Sequence, residues 1–453
     1  MVKTLSKLEQ LVRRAVTKGL AEVEVYAVHT ISKQFSVASD MIIDSVVSED
    51  YDIGLRGAFN KRIGGVRTNT LDGDVDKILE KLYSVTKSSP EDPYWSGFPV
   101  ELRETKQVSC YDDKVAAMSE EELVEVLEQA MDAFKEPPLR SGAEKASVVE
   151  GSFSVRESRI VVINSHGVER SVRCSNVVLW LSLSTMKGGA IADKTFAYWK
   201  RKLDIKELED KALRNGELAL LFLNASPIES GNYDLVLVPE TVGEILTYSL
   251  APAFSALNIL ENRSPLKGRL GELVFNEDLT ISDDPSIEMA AGTAPFDDEG
   301  VPTTTKPVVE KGVVKSILHS YYTARRMSTA PTGNGFRQYP AAPPTPRFTN
   351  MLVNPGQGSL EDFVRDISKG IVVHEIIGYW MSDPVTGSTK ATVTHGLLVE
   401  RGKVVKPVKG VVIGGNIYEW LSKGLLGVGK DLEIIGPAAA PSLWIKEVGV
   451  AGK

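Results

Sequence analysis

A histidine followed by a glutamate is the pair on which many zinc peptidases are built, and the chain carries one in His374-Glu375-Ile376-Ile377-Gly378. In a thermolysin-type helix, His-Glu-x-x-His places two imidazoles at i and i+4 on one face. Both then reach zinc while the glutamate activates water. Here Gly378 stands at the second histidine position, and Ile371, Val372 and Val373 before the pair read as a strand rather than a helix. A strand-end histidine beside a glycine turn accounts for the pattern, and a site joining His374 and Glu375 to the distant His395 is the variant that would restore metal chemistry.

A second place for chemistry is the stretch from Tyr233 to Glu244, YDLVLVPETVGE. Leu235 to Val238 read as a short buried strand, and Pro239 opens an amphipathic helix through Ile245, Leu246 and Tyr248. Glu240 and Glu244 would lie one turn apart. Without His or Cys they suit the positive end of the helix dipole better than a zinc ion. Gly424 to Lys430 has the spacing of a phosphate-binding loop, but Asp431 occupies the position of the magnesium-binding hydroxyl, so a turn is expected. Asp297-Asp298-Glu299-Gly300 lacks the rest of a calcium loop and reads as a charged turn. Lys200-Arg201-Lys202 reads as a solvated approach to a helix. His29, His166, His319 and His395 are isolated in sequence and read as hydrogen-bonded structural residues.

The elements that must position these groups divide into two halves. Residues 1–223 read as an α/β domain of antiparallel strands and helices, and residues 224–453 as a strand-rich domain, barrel- or sandwich-like, for an α+β chain overall. Leu5, Leu8, Leu11 and Val12 mark a first helix, and Asp72 to Thr86 a second. Ser119 with Glu122 has the spacing of a capping box, and Pro137-Pro138 is expected to end the helix that follows. Gly54, Gly57, Gly64 and Gly65 read as turns between β-branched runs. Ser165-His166-Gly167 reads as a hairpin turn, Asp204 to Phe222 as a helix, Asn224 to Gly231 as the linker, and Pro340 to Pro346 as an exposed extended loop.

Composition excludes several classes. At 453 residues, 42% apolar and 25% charged, the chain can bury a large core. No apolar run approaches the roughly 18 residues of a membrane span. A net charge of -8 gives no basis for nucleic-acid affinity. Cys110 and Cys174 are the only cysteines, too few for a disulfide framework or a cysteine-rich zinc site. The expectation is a soluble cytoplasmic protein.

A set of phrases then narrows the reading. In order they are Pro239 to Glu244; Arg263-Ser-Pro-Leu266 leading to Gly271-Glu272; Pro295-Phe-Asp-Asp-Glu-Gly-Val-Pro302; Thr332-Gly-Asn334; Thr349-Asn350; Trp380 to Gly387; Val399 to Gly402 with Lys406 to Gly410; Gly415-Asn416; and Ala440 to Leu443. Together they resemble the TldD/PmbA family, once called modulators of DNA gyrase, and within it the TldE (PmbA) branch.

The resemblance implies a chain that pairs with a TldD-type metalloprotease, whose strand-to-helix junction carries His-Glu-x-x-x-His and whose late cysteine completes a zinc site. At those positions this chain has Pro239, Glu240 and Glu244, and no cysteine follows Cys174. It therefore implies no catalytic residue, metal or cofactor here, and zinc in the TldD-like partner. The implied assembly is a heterodimer acting on unfolded or short peptides, with a homodimer when the chain is alone. Two readings stay open beside it: a metallopeptidase active in its own right through His374, Glu375 and His395, and a regulatory protein that binds DNA gyrase. Residues five apart on a regular helix sit about 140° apart, so the metal motif needs a distorted turn. With no ion to organise, an ordinary helix start is expected at Pro239 to Glu244.

Overall fold

The structure, a computed structural model, describes residues 2–70, 74–100, 104–105 and 107–453, with the side chains of residues 2–5 excluded. Asp72 and the Leu5 side chain lie outside these described residues.

The first half consists of α1 (Val2–Thr17), β1 (Glu22–Ala38), β2 (Met41–Phe59), β3 (Arg62–Thr68), α2 (Val75–Ser88), α3 (Asp113–Ala117), α4 (Glu120–Arg140), β4 (Lys145–Asn164), β5 (Glu169–Lys187), β6 (Ala190–Lys200) and α5 (Ile205–Leu221). Its six strands form one antiparallel sheet in the order β3-β2-β1-β4-β5-β6. The strands are long enough to serve two cores. On one stretch of the sheet, Val177, Leu179, Leu181 and Leu183 alternate inward and meet Leu123, Leu127, Ala130 and Phe134 of α4. On the other, Val23, Val25 and Leu55 meet Leu8, Leu11 and Val12 of α1 and Leu79 and Leu82 of α2. Burying each such Leu or Phe side chain contributes about 1.5–3 kcal/mol.

The helix boundaries follow their caps. Ser119 Oγ accepts the Glu122 N–H at 3.2 Å while the Glu122 carboxylate accepts the Ser119 N–H at 2.7 Å, so the expected capping box forms. Asp204 caps α5 by accepting the Glu207 N–H at 3.1 Å. Pro137 and Pro138 do not end α4, which continues to Arg140. The two prolines leave the Ala133 and Phe134 carbonyls without their helical donors, and Gly216 of α5 packs against this proline turn, where a Cβ would lie 2.4 Å from the Phe134 carbonyl oxygen.

Several loop expectations are corrected. Gly54 and Gly57 lie within β2, and Gly64 and Gly65 within β3. A Cβ on Gly54 would sit 2.1 Å from the Pro340 carbonyl carbon, so the glycine permits a close backbone approach rather than a turn. For the same reason the proline-rich stretch is not an exposed loop: Pro340, Ala342, Pro344 and Pro346 are buried. Within Gly424 to Lys430, Leu425–Val428 is a strand, not a turn. Cys110 and Cys174 are bonded to each other, one crosslink where the sequence offered no framework.

The second half is organised on β7 (Gly231–Leu237). This strand pairs in parallel with Lys369–Ile377 and antiparallel with Leu443–Ala451. Val411–Asn416 joins Leu443–Ala451 to Ser388–Glu400, and Ser388–Glu400 pairs back to Lys369–Ile377. The ladder closes into a five-stranded barrel, filled by Leu235, Leu237, Ile371, Val373, Val393, Ile413 and Ile445. The barrel alternative of the strand-rich expectation is the one observed. Among the described residues, no helix is long and apolar enough to cross a membrane.

Candidate functional site

At the end of β7 the chain leaves the barrel wall and turns directly into α6 (Pro239–Ile245). Val238 still donates its N–H to the Val373 carbonyl at 3.2 Å. Pro239 occupies the first helical turn, where its missing donor costs nothing. Thr241 Oγ1 donates to the Val238 carbonyl at 2.9 Å, and Gly243 rests on Ile435 and Ala438. The start is thus ordinary, as expected, but the continuation is not. From Leu246 to Leu250 the helix widens to a π-helical turn, followed by a 3-10 turn from Ala251 to Phe254. The distortion expected only for a metal-bearing motif therefore begins at Leu246, two residues after Glu244.

Glu240 and Glu244 are half-buried and face a group of polar side chains from four other elements. In the strand Lys369–Ile377 the pairing shifts between Val373 and Glu375, a bulge that places Glu375 opposite His395 of the neighbouring strand. His395 Nδ1 lies 3.3 Å from the Glu375 carboxylate. His395 Nε2 lies 2.5 Å from the Asp193 carbonyl; since a carbonyl only accepts, Nε2 carries a proton. Lys194, buried in β6, donates to the Glu375 carboxylate at 2.5 Å and to the Thr195 carbonyl at 2.7 Å. Lys211 of α5 lies 3.6 Å from Glu240. Phe222, at the end of α5, presents its ring to His395 at 4.6 Å and to His374 at 5.7 Å between centroids.

The structure therefore brings together two sets that read as separate in sequence, the junction residues Pro239, Glu240 and Glu244 and the group His374, Glu375 and His395. Sequence reasoning missed Lys194, Lys211 and Phe222. A signal for Lys194 exists: it is in phase with Ala192, Phe196 and Tyr198, the buried face of β6. A lysine in that register requires a carboxylate partner.

The charges are strongly coupled. Burial pushes the Glu375 carboxyl up, but the His395 hydrogen bond and the Lys194 charge more than reverse this and hold it at about 2. Burial, followed by repulsion from Glu375 and Glu240, raises Glu244 to about 7. Burial also opposes ionisation of Glu240, yet Lys211, its own backbone N–H and Arg214 bring it below the usual carboxylate range. His374 is lowered to about 4 by burial and by the Lys194 charge, so it is neutral at pH 7.

Pro239 has no donor atom, and an ammonium group already lies on Glu375. Among the described residues, no group of three or more His, Cys, Asp or Glu is arranged to hold a metal ion. What the arrangement can do is hold or release a proton near neutrality, at Glu244. Because its folded pKa lies above the ordinary 4.5, ionisation opposes folding, and stability falls as pH rises from about 4.5 to about 7. Glu244→Gln should therefore raise stability at pH 8 by about 1–2 kcal/mol after solvent screening, with little effect at pH 4.5, as read from thermal midpoints at the two pH values.

The remaining candidates have structural partners. His29 meets Glu49 at 2.7 Å and His166 meets Glu22 at 2.9 Å. His319 is buried near Thr323 and is lowered to about 4 by that burial. Asp297 to Gly300 is not a solvated charged turn. Asp297 Oδ1 accepts the N–H groups of Glu299 and Val301, and its Oδ2 that of Gly335. Asp298 accepts the Tyr26 hydroxyl at 2.9 Å and the Arg337 N–H at 2.7 Å. Of the basic triplet, Lys200 and Lys202 pair with Glu207 and Glu288, while Arg201 is half-buried rather than solvated.

Comparison with known proteins agrees with this architecture. The family model described as the PmbA/TldA metallopeptidase C-terminal domain matches residues 230–452, and the central domain of the same family matches residues 113–223. The chain is 29% identical to an uncharacterized protein of Methanocaldococcus jannaschii over 448 residues, covering 97% of this chain and 98% of that one. It is 31% identical over 314 residues to a metalloprotease of Methanothermobacter thermautotrophicus, covering 67% of this chain and 68% of the relative. In fold it is similar to TldE from Thermococcus kodakarensis, with a TM-score of 0.88 at 24% identity, covering 98% of this chain and 100% of that one. With the strand-to-helix junction, the closed barrel and these matches in agreement, the chain belongs to the PmbA/TldD family.

Proposed function

We propose that this chain is a non-catalytic, TldE-like subunit that assembles with a TldD-like metalloprotease to degrade or process unfolded and short peptides. The observation that carries the reading is the salt bridge of Lys194 to Glu375 beside Pro239, Glu240 and Glu244. The strand-to-helix junction is retained as architecture, but an ammonium group supplies the positive charge and no imidazole is offered at either helix position. Zinc and the hydrolytic step reside in the partner. This chain completes the enclosure around the peptide, and strand edges hold it extended by β-augmentation. A homodimer is the form taken when the partner is missing, and the cytoplasm is the compartment.

The test is to purify the chain alone and together with a TldD-like chain carrying His-Glu-x-x-x-His, then to measure mass, bound zinc and peptide cleavage. A one-to-one complex is expected in which zinc and chelator-sensitive cleavage require the TldD-like chain. Stoichiometric zinc and cleavage by the lone chain would overturn the reading in favour of an independent metallopeptidase.

A further inference from the structure

A cavity lies between the two halves, and its lining does not include the Lys194–Glu375 group. Its volume is about 720 Å³, within the range of small-molecule sites. Ile160 and Trp199 wall it from the N-terminal sheet, and Phe296, Phe336 and Phe348 from the C-terminal half. Set into this apolar lining are four guanidinium side chains, Arg201, Arg263, Arg337 and Arg347, against one acid, Asp298. In a chain of net charge -8 this is a local reversal of sign.

Two of the four cations are neutralised by the protein. Arg337 pairs with Glu24, and Arg263 with Glu261. The Asp298 carboxylate is occupied by the Tyr26 hydroxyl and the Arg337 N–H. Arg201 and Arg347 make no salt bridge among the described residues. Arg201 donates only to the Ser175 and Thr293 carbonyls, at 3.2 and 3.4 Å, and its buried Nε has no partner. Arg347 stacks on Phe336, 4.9 Å from the ring centre. Arg201, largely withdrawn from water without a counter-ion, is costly to bury, Arg347 reaches the cavity from its exposed side, and the planar fork of each matches a carboxylate.

We infer that this cavity binds a carboxylate attached to an aromatic or branched apolar group, with Arg201 and Arg347 as its counter-ions and Phe336, Phe348 and Trp199 around its body. The ligand chemistry has two sources, a free organic acid or the carboxyl-terminal residue of a peptide. Neither requires a partner subunit, so the inference stands apart from the proposed function.

Calorimetric titration of the chain with N-acetyl-phenylalanine and its amide, and with a phenylalanine-ended hexapeptide in free and amidated form, tests it. A free-acid form should bind at least about 10-fold more tightly than the matching amide, and Arg201→Gln and Arg347→Gln should each weaken acid binding by about 10-fold or more. Arg347→Gln, on the exposed side, should leave the thermal midpoint unchanged, so its loss of binding would not reflect misfolding. Preference for the free-ended peptide assigns the ligand as a chain terminus, and binding of N-acetyl-phenylalanine alone assigns a free acid. Equal binding of acid and amide, no binding of any probe, or acid binding indifferent to both substitutions would overturn the inference.

Discussion

Arg337→Met is expected to destabilise the protein by about 3–5 kcal/mol, the largest single-residue effect anticipated outside the apolar core. Arg337 and Glu24 are each 1% exposed at the side chain, and Arg337 donates to Glu24 on β1. The same guanidinium donates to the Pro340 carbonyl at 3.2 Å, the Ala342 carbonyl at 3.0 Å and the Asp298 carbonyl at 3.3 Å. It thereby ties the N-terminal sheet to two stretches of the C-terminal half. Arg56 is the second partner of Glu24, at 3.2 Å, and is itself lowered to about 10 by burial and by Arg337. Burial already holds Asp297 well above the usual carboxylate range and Glu299 at about 7, so the charge at stake is chiefly that of Glu24, which Arg56 alone would have to balance after the loss of Arg337. Chemical denaturation measures the cost. A double replacement of Glu24 and Arg337 by Met should recover much of it, because it removes the uncompensated charge as well as the pair. A cost below about 1 kcal/mol for the single variant would mean that the network is not structurally decisive.

Lys194→Met should cost about 2–4 kcal/mol at pH 8 and distinctly less at pH 5. The lower end allows for the 28% side-chain exposure of Glu375, against 6% for Lys194. The sign follows from the carboxylates. Glu375, held at about 2, contributes stability that is fully present above its ordinary 4.5 and is lost as pH falls towards 2, and Lys194 supplies part of that contribution. Glu244 lies in the opposite direction: Lys194 restrains a rise that already reaches about 7, so its removal lifts Glu244 further and adds to the loss on the alkaline side. At pH 5 the variant can take up protons in place of the ammonium charge. Thermal midpoints at pH 5, 7 and 8.5 would show this slope, and a deficit equal at all three values would exclude Lys194 as the counter-charge of the cluster.

The parts of the fold legible in the sequence are those specified by local chemistry. Ser119 with Glu122 and Asp204 with Glu207 each place a helix start within a few residues, and the alternation around Val177 to Leu183 reports a sheet face against helices. What is not legible depends on partners far along the chain. Gly54 looks like a turn until Pro340 is known to lie on it, and Asp297 and Glu299 look solvated until Gly335 and Tyr321 are known to donate to them. The site divides in the same way. The loss of donors at Pro239 and Glu244 is readable from the residues themselves. The meeting of Glu375 with His395 depends on strand register, and that with Lys194 on a contact across 181 positions.

The closed barrel also sets an order of events during synthesis. β7 leads into the junction at Pro239, yet its antiparallel neighbour is Leu443–Ala451, with Gly231 opposite Val450. A ribosome would have translated almost the whole second half before that edge of β7 could find its mate, by which time β1 to β6 and their helices could already have folded. Until then the strand before α6 exposes one unpaired backbone edge, open to another extended chain. Emergence of Leu443–Ala451 is thus the step that seals the barrel, and a nascent chain stalled before it would carry a folded amino-terminal half with an open, aggregation-prone sheet behind it.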